Sequence, residues 1–165
     1  YAQLFPNDVN YTIGKSDYTK DWYIEQVPHS TDPSDTVAAG TGQGSGRATP
    51  WTIHFTMPGA EQGKATLRAA ICGAGNRVSV QVAVNGKDVG EIGPLTYNAT
   101  INRDGVQGAW SEHDVAFDAS LLKAGENTIV LTVPAGGLTN GVEYDCLRLE
   151  VDRNAAAPAA AGAAR

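Results

Sequence analysis

Between Trp51 and Met57 every second residue is apolar: Trp51, Ile53, Phe55 and Met57 alternate with Thr52, His54 and Thr56. Side chains of a strand point to opposite faces, so a period of two predicts a strand with one face in a core and the other in water. The same alternation places Ala65, Leu67, Ala69 and Ile71 on one side of a second strand, and Val78, Val80, Val82 and Val84 on one side of a third. That third run stops at Asn85-Gly86, which accepts the positive φ angles of a type I′ hairpin, so Lys87 to Ile92 is predicted as its return strand.

Val115 and Phe117 mark a further short strand, and Asn127 to Val133 sets Ile129, Leu131 and Val133 inward against Thr128 and Thr132. Between them a single helical turn is expected, with Asp118 capping free amides ahead of Leu121 and Leu122 and Gly125 supplying a left-handed residue. The last strand, Val142 to Val151, changes parity from Val142, Tyr144 and Cys146 to Leu147, Leu149 and Val151, as a β-bulge or a strand covered on both faces requires, and the bulge is the favoured reading. With an opening strand around Asp8 to Ile13, the pattern gives about eight short antiparallel strands separated by Gly, Pro and Asn turns. An all-β jelly-roll β-sandwich of two sheets is the expected fold. Pro28 to Pro50 and Gly93 to Gly108 are too long for hairpin turns and are read as loops. The second mixes Tyr97, Asn102, Arg103 and Asp104 as binding loops do. Residues 1–154 form the expected domain, and the Ala-rich stretch 155–165 is read as a tail or linker.

The chain has 165 residues, 42% of them hydrophobic, enough for one core without staples. A net charge of −6 argues against nucleic acid as a partner, because a phosphate backbone is met by a basic stripe. No apolar run reaches the roughly 20 residues of a membrane span, and Tyr1 to Asn10 show no basic or apolar leader, so a membrane is not expected and the chain reads as a mature or excised piece. Cys72 and Cys146 allow either one disulfide or two buried thiols acting as small apolar side chains. Asn10-Tyr11-Thr12 and Asn98-Ala99-Thr100 fit the N-glycosylation pattern.

Signatures of catalysis are few in the sequence. His29, His54 and His113 are scattered without metal-ligand spacing, there is no G-x-S-x-G elbow, and Gly40 to Gly46 lacks the flanking strand and helix of a phosphate loop. Asp32 and Asp35 do not follow EF-hand spacing, so a structural calcium ion would need carboxylates from distant strands. No other cofactor is expected. The richest constellation is Gly14-Lys15-Ser16-Asp17-Tyr18-Thr19-Lys20-Asp21-Trp22-Tyr23, which crowds aromatics, lysines and carboxylates into the turn after the first strand. Sugar sites use that mixture: an aromatic face covers the C–H side of a pyranose, planar donors and acceptors fix its hydroxyls, and a cation meets a uronate carboxylate. An aromatic at a strand end also serves as a core lid, and Trp22 and Trp110 are open to both roles. Trp51, in phase with Ile53 and Phe55, is assigned to the core.

Taken in order, Leu4-Phe5-Pro6-Asn7-Asp8-Val9, Ile13-Gly14-Lys15-Ser16-Asp17, Asp21-Trp22-Tyr23, Trp51-Thr52-Ile53-His54-Phe55 and Val84-Asn85-Gly86 resemble the C-terminal, carbohydrate-binding-module-like domain III of family 4 polysaccharide lyases, the rhamnogalacturonan lyases. Arg103-Asp104-Gly105, Leu122-Lys123-Ala124-Gly125-Glu126-Asn127-Thr128-Ile129 and Tyr144-Asp145-Cys146-Leu147-Arg148-Leu149-Glu150 continue the resemblance. It implies a galactose-binding-like jelly roll joined to N-terminal lyase domains, a secreted, extracellular location, and a pectin partner of alternating rhamnose and galacturonate. On that basis the expected function is noncatalytic binding of acidic polysaccharide. Lys15 and Arg103 would meet uronate, Trp22 and Trp110 would stack, and Asp17 would accept sugar hydroxyls. Two alternatives stand beside it: an accessory domain that only stabilises the lyase, and a lyase in its own right acting through Lys15, Arg103 or His113.

Overall fold

The computed structural model describes residues 4–30, 46–75, 77–96 and 110–158. In chain order its strands are β1 (Asn10–Thr12), β2 (His29–Ser30), β3 (Gly46–Arg47), β4 (Thr49–Met57), β5 (Lys64–Ala74), β6 (Val80–Val84), β7 (Lys87–Ile92), β8 (Ser111–Asp118), β9 (Gly125–Val133) and β10 (Val142–Asp152), with a short helix α1 (Tyr18–Asp21) after β1. A five-stranded sheet runs β1-β4-β9-β6-β7, a three-stranded sheet runs β10-β5-β8, and β2 pairs with β3. The two larger sheets enclose the core of the expected jelly-roll sandwich. All pairings are antiparallel except β1 with β4, which is parallel and brings Tyr11 opposite Ile53.

The core holds the alternating residues that the sequence points to. Ala65, Leu67, Ala69 and Ile71 of β5 meet Val80, Val82 and Val84 of β6 and Ile129, Leu131 and Val133 of β9 in one buried cluster. Trp51 is 1% exposed, as expected of a core residue. Asn85 (φ 48°) and Gly86 (φ 80°) make the hairpin turn into β7 in the left-handed region. Asn85 is more than a turn residue: its Nδ2 donates to Leu121 O (2.7 Å) and Asn127 Oδ1 (2.8 Å), and its Oδ1 accepts from Thr128 N (2.9 Å). Buried Asn127 in turn donates to Lys123 O and Gly125 O and accepts from Lys123 N. The Lys123-Ala124-Gly125-Glu126-Asn127 turn is thereby locked to the β6–β7 hairpin, and Asp118 caps the 3₁₀ turn Ala119–Leu121 through Ser120 N (2.8 Å).

Three expectations need correction. Pro28 to Pro50 is not loop throughout: its ends form β2, β3 and the start of β4, where Thr49 Oγ1 donates to Val27 O (2.7 Å) and accepts from His29 N (3.1 Å). Gly93 to Gly108 begins inside the core, because Leu95 is buried and its backbone bonds Val78 O and Arg77 N. The strand around Val115 extends back to Ser111, since pairing with β5 as far as Ile71 satisfies backbone groups whose side chains are polar. Residues 31–45 and 97–109, the remainder of both loops, and 159–165 of the tail lie outside the described residues.

One buried polar side chain joins the two sheets. Gln26 is fully buried; its Nε2 donates to Thr49 O of β4 and to Leu131 O of β9 (2.8 Å), and its Oε1 accepts from the Tyr144 hydroxyl of β10 (2.7 Å). Its backbone exchanges two hydrogen bonds with Val142, so it lies as an extra rung on the β10 edge. Truncating it strands two carbonyls and a phenol in a low-dielectric interior. Gln26→Ala is expected to lower stability by about 2–4 kcal/mol, read from urea unfolding midpoints. A change below about 1 kcal/mol would show that water replaces the amide.

Candidate functional site: an aromatic cleft between two edge strands

The sandwich is open on one side, where β1, the edge of the larger sheet, approaches β10, the edge of the smaller. A cleft of about 400 Å³ lies there, within the range of about 300–1,000 Å³ common for small-molecule sites. Its floor is Ile53 from β4 with Tyr144 and Leu147 from β10, and Tyr11 of β1 forms one wall. The segment after β1 supplies Ile13, Tyr18 and Trp22, and Asp145 and Cys146 complete the opposite rim.

Local chemistry shapes the wall after β1. Gly14 (φ 79°) turns the chain, Lys15 N and Ser16 N donate to Thr12 O, and Ser16 Oγ accepts from Thr12 N (2.9 Å). Asp17 then caps α1 through Thr19 N (3.0 Å) and Thr19 Oγ1 (2.7 Å), while its own N–H donates to Asp21 Oδ2 (2.8 Å). Both Asp17 oxygens are engaged, because Oδ2 lies 3.1 Å from Lys20 Nζ. The Thr19 hydroxyl and amide, followed by Lys20, hold the Asp17 carboxyl below its ordinary range. The cap presents Tyr18, 73% exposed, at the mouth of the cleft.

The aromatic residues form one edge-to-face cluster. Trp22 packs at 4.8 Å from Trp51 with an interplanar angle of 80°, at 5.7 Å from Tyr11 and at 6.0 Å from Tyr144. Such T-shaped contacts contribute beyond area burial alone. Trp22 is therefore both a lid on Trp51 and a wall of the cleft. The Tyr144 ring faces the cleft, while its hydroxyl is buried against Gln26 and desolvation drives its pKa far upward, so it stays protonated and donating.

The opposite rim depends on the bulge that the parity change predicts. Tyr144 opposes Ile71 and Cys146 opposes Ala70, which leaves Asp145 as an extra residue in β10. Released from the ladder, exposed Asp145 stands at the cleft and accepts from Trp110 Nε1 at 2.9 Å. Trp110 is 55% exposed and is tied to the rim through this bond. The bulge also turns Cys146 outward, so it is an exposed free thiol and not a buried one. Cys72 is half-buried and donates its thiol to Glu143 O (3.6 Å), and burial, then the charges of Glu143 and Asp145, push that thiol up.

Of the five residues expected to bind sugar, the structure places Trp22 in the cleft and Trp110 on its rim. Lys15 is exposed in the turn two residues beyond Ile13 but does not line the cleft. Asp17 is a helix cap, and Arg103 lies outside the described residues. The sequence points to none of the other eight lining residues as contacts, among them Tyr11, Tyr18, Tyr144 and Asp145. Tyr18 lies within the aromatic-rich turn, and Asp145 sits at the parity change. His113 bonds Ser111 Oγ (3.0 Å) on β8, across β5 from the cleft-lining strand β10, so it is not brought to this site. Among the described residues no three His, Cys, Asp or Glu side chains converge as a metal-binding group, and no helix is long and apolar enough to cross a membrane.

A jelly-roll sandwich with an aromatic cleft at its open edge is the class that fold and site define. The chain belongs to a family within that class, described as CBM-like, polysaccharide lyase family 4, domain III, whose model matches residues 1–149. It is 29% identical over 154 residues to "Probable rhamnogalacturonate lyase C" of Emericella nidulans, and the match takes 81% of this chain but 15% of that protein. Among solved structures, a family 35 carbohydrate-binding module from an environmental isolate aligns with a TM-score of 0.43 at 20% identity, covering 82% of this chain and 93% of the module. A CBM35 from Paenibacillus barcinonensis aligns with a TM-score of 0.43 at 18% identity, covering 79% and 91% respectively.

Two outcomes check the site geometry. In the reduced protein iodoacetamide is expected to modify exposed Cys146 well before Cys72, whose raised pKa and burial keep it a protected thiol; mass spectrometry of partly modified protein reads the order. Because the folded pKa of Asp17 is depressed, its cap stabilises the turn above the ordinary value of 3.8 and is lost as pH falls through the lower folded value. Carboxyl ¹³C titration should place the Asp17 midpoint below 3.8, with the Tyr18 to Asp21 amide signals shifting in the same acid window.

Proposed function

We propose that this chain is a noncatalytic carbohydrate-binding module that holds an acidic pectin-type polysaccharide, rhamnogalacturonan, for lyase domains preceding it in a secreted, extracellular protein. The observation that carries the reading is the open cleft walled by Tyr18, Trp22 and Tyr144 with one carboxylate, Asp145, on its rim. Aromatic faces offer the dispersion and C–H contacts that a pyranose needs, and Asp145 offers an acceptor for its hydroxyls. Lys15, exposed just beyond the cleft, is suited to a uronate of the same chain extending past the rim. Family membership supports the lyase context. The module's contribution is then effective concentration: it keeps polymer near the lyase domains.

Titration of the isolated chain with rhamnogalacturonan oligosaccharides by calorimetry should give saturable heat. Tyr18→Ala, which removes an exposed ring, should weaken binding about tenfold with little change in melting temperature. Absence of heat at saturating oligosaccharide overturns the reading.

A second reading, an accessory domain that stabilises its lyase, is favoured by one observation. Leu4, Ile13, Tyr18 and Ile24, four of the large apolar side chains left exposed, fall within the first 24 residues. If they dock on a neighbouring domain, deleting this module from the whole lyase lowers its melting temperature and leaves its polymer affinity unchanged.

A further inference from the structure

We infer that the cleft is selective for a neutral sugar with an apolar edge, a 6-deoxyhexose, and that Asp145 turns uronates away from it. This rests on the reading of the cleft as a carbohydrate site and adds which residue of a mixed polymer enters it.

The substituent on C5 of the pyranose ring is where hexoses, 6-deoxyhexoses and hexuronates differ. A hydroxymethyl group needs a hydrogen-bond partner, a carboxylate needs a cation, and a methyl group needs an apolar wall. Ile13, Ile53 and Leu147 supply that wall beside the aromatic rings. Among the described residues no lysine, arginine, histidine, asparagine or glutamine lines the cleft, so a carboxylate entering it would be desolvated without a counter-charge. The tyrosine hydroxyls offer little in its depth. That of Tyr144 is already given to Gln26, and that of Tyr11 points to Ser16 O at 3.4 Å.

Asp145 adds active exclusion. Among the described residues it is the one charged residue of the lining, and its charge repels a second carboxylate. Trp110 Nε1 engages its Oδ2, which fixes the side chain at the rim and leaves Oδ1 as an acceptor for the ring hydroxyls of a neutral sugar. In a chain that alternates deoxyhexose with uronate, this would set the phase of binding: the deoxyhexose occupies the cleft and its uronate neighbours stay outside, on the side of exposed Lys15.

The test compares methyl α-L-rhamnopyranoside with methyl α-D-galactopyranosiduronate, each up to about 100 mM to reach weak monosaccharide affinities. It reads the Trp110 indole N–H signal by NMR and protection of Cys146 from iodoacetamide, and it includes the rhamnogalacturonan oligosaccharides as a third ligand. The rhamnoside is expected to shift the Trp110 signal and slow Cys146 alkylation, whereas the galacturonoside does neither in the wild-type protein. Asp145→Asn keeps an acceptor oxygen and removes the charge. Its single acceptor oxygen cannot serve both Trp110 Nε1 and the sugar hydroxyls, so rhamnoside affinity should fall while galacturonoside affinity rises about threefold to fivefold, a modest gain because the rim is exposed to solvent. If the oligosaccharides bind but the galacturonoside is the better monosaccharide, or the rhamnoside gives no response, or Asp145→Asn leaves the preference unchanged, this inference is overturned and the carbohydrate reading stands. Failure of the oligosaccharides themselves overturns both.

Discussion

The carboxamide of Gln26 is the point on which the arrangement depends. A buried amide costs several kcal/mol unless its hydrogen bonds are made, and here the partners come from β4, β9 and β10, so the two sheets must meet at one spacing to supply them. Hydrophobic burial alone would tolerate a sliding contact between the sheets; a directional amide does not. Fixing the Tyr144 hydroxyl also fixes its ring, and that ring packs against Trp51 and Trp22. The geometry of the cleft is thus inherited from a hydrogen bond beneath it.

The same chain of dependence explains why strands were legible and the site largely was not. Alternation along β4, β5, β6 and β9 reports burial residue by residue, and Asn85-Gly86 and Lys123 to Asn127 report turns through requirements met within a few positions. Gln26 has no such local signature. Its partners Leu131 and Tyr144 lie 105 and 118 residues away, so nothing in its neighbourhood distinguishes it from a surface glutamine. Asp17 misled for a related reason. A carboxylate among aromatics and lysines suits a sugar site, yet the Thr19 amide and hydroxyl two residues on compete for it, and the local cap wins.

Trp22 shows that a core role and a contact role need not exclude each other at a sheet edge. One side of the indole lies against Trp51, which ties it to the core, and the residue still lines the cleft. A platform anchored in this way gives up little side-chain entropy when a ligand arrives, because its rotamer is already held by packing. Tyr18 is the contrasting case, an exposed ring carried by a four-residue helix whose position depends on the Asp17 cap.

The bulge in β10 couples these features to specificity. An uninterrupted strand would keep strict alternation past Tyr144, and residues 146, 148 and 150 would then share the core face. The inserted Asp145 reverses that parity, so that Leu147, Leu149 and Val151 pack inward while Arg148 and Glu150 face out. The hydrophobic requirement of the core therefore demands an extra residue somewhere near this point. Placing it beside the cleft turns a packing necessity into a rim position freed from the ladder, and a charged side chain at that position is bonded to Trp110 without disturbing either sheet.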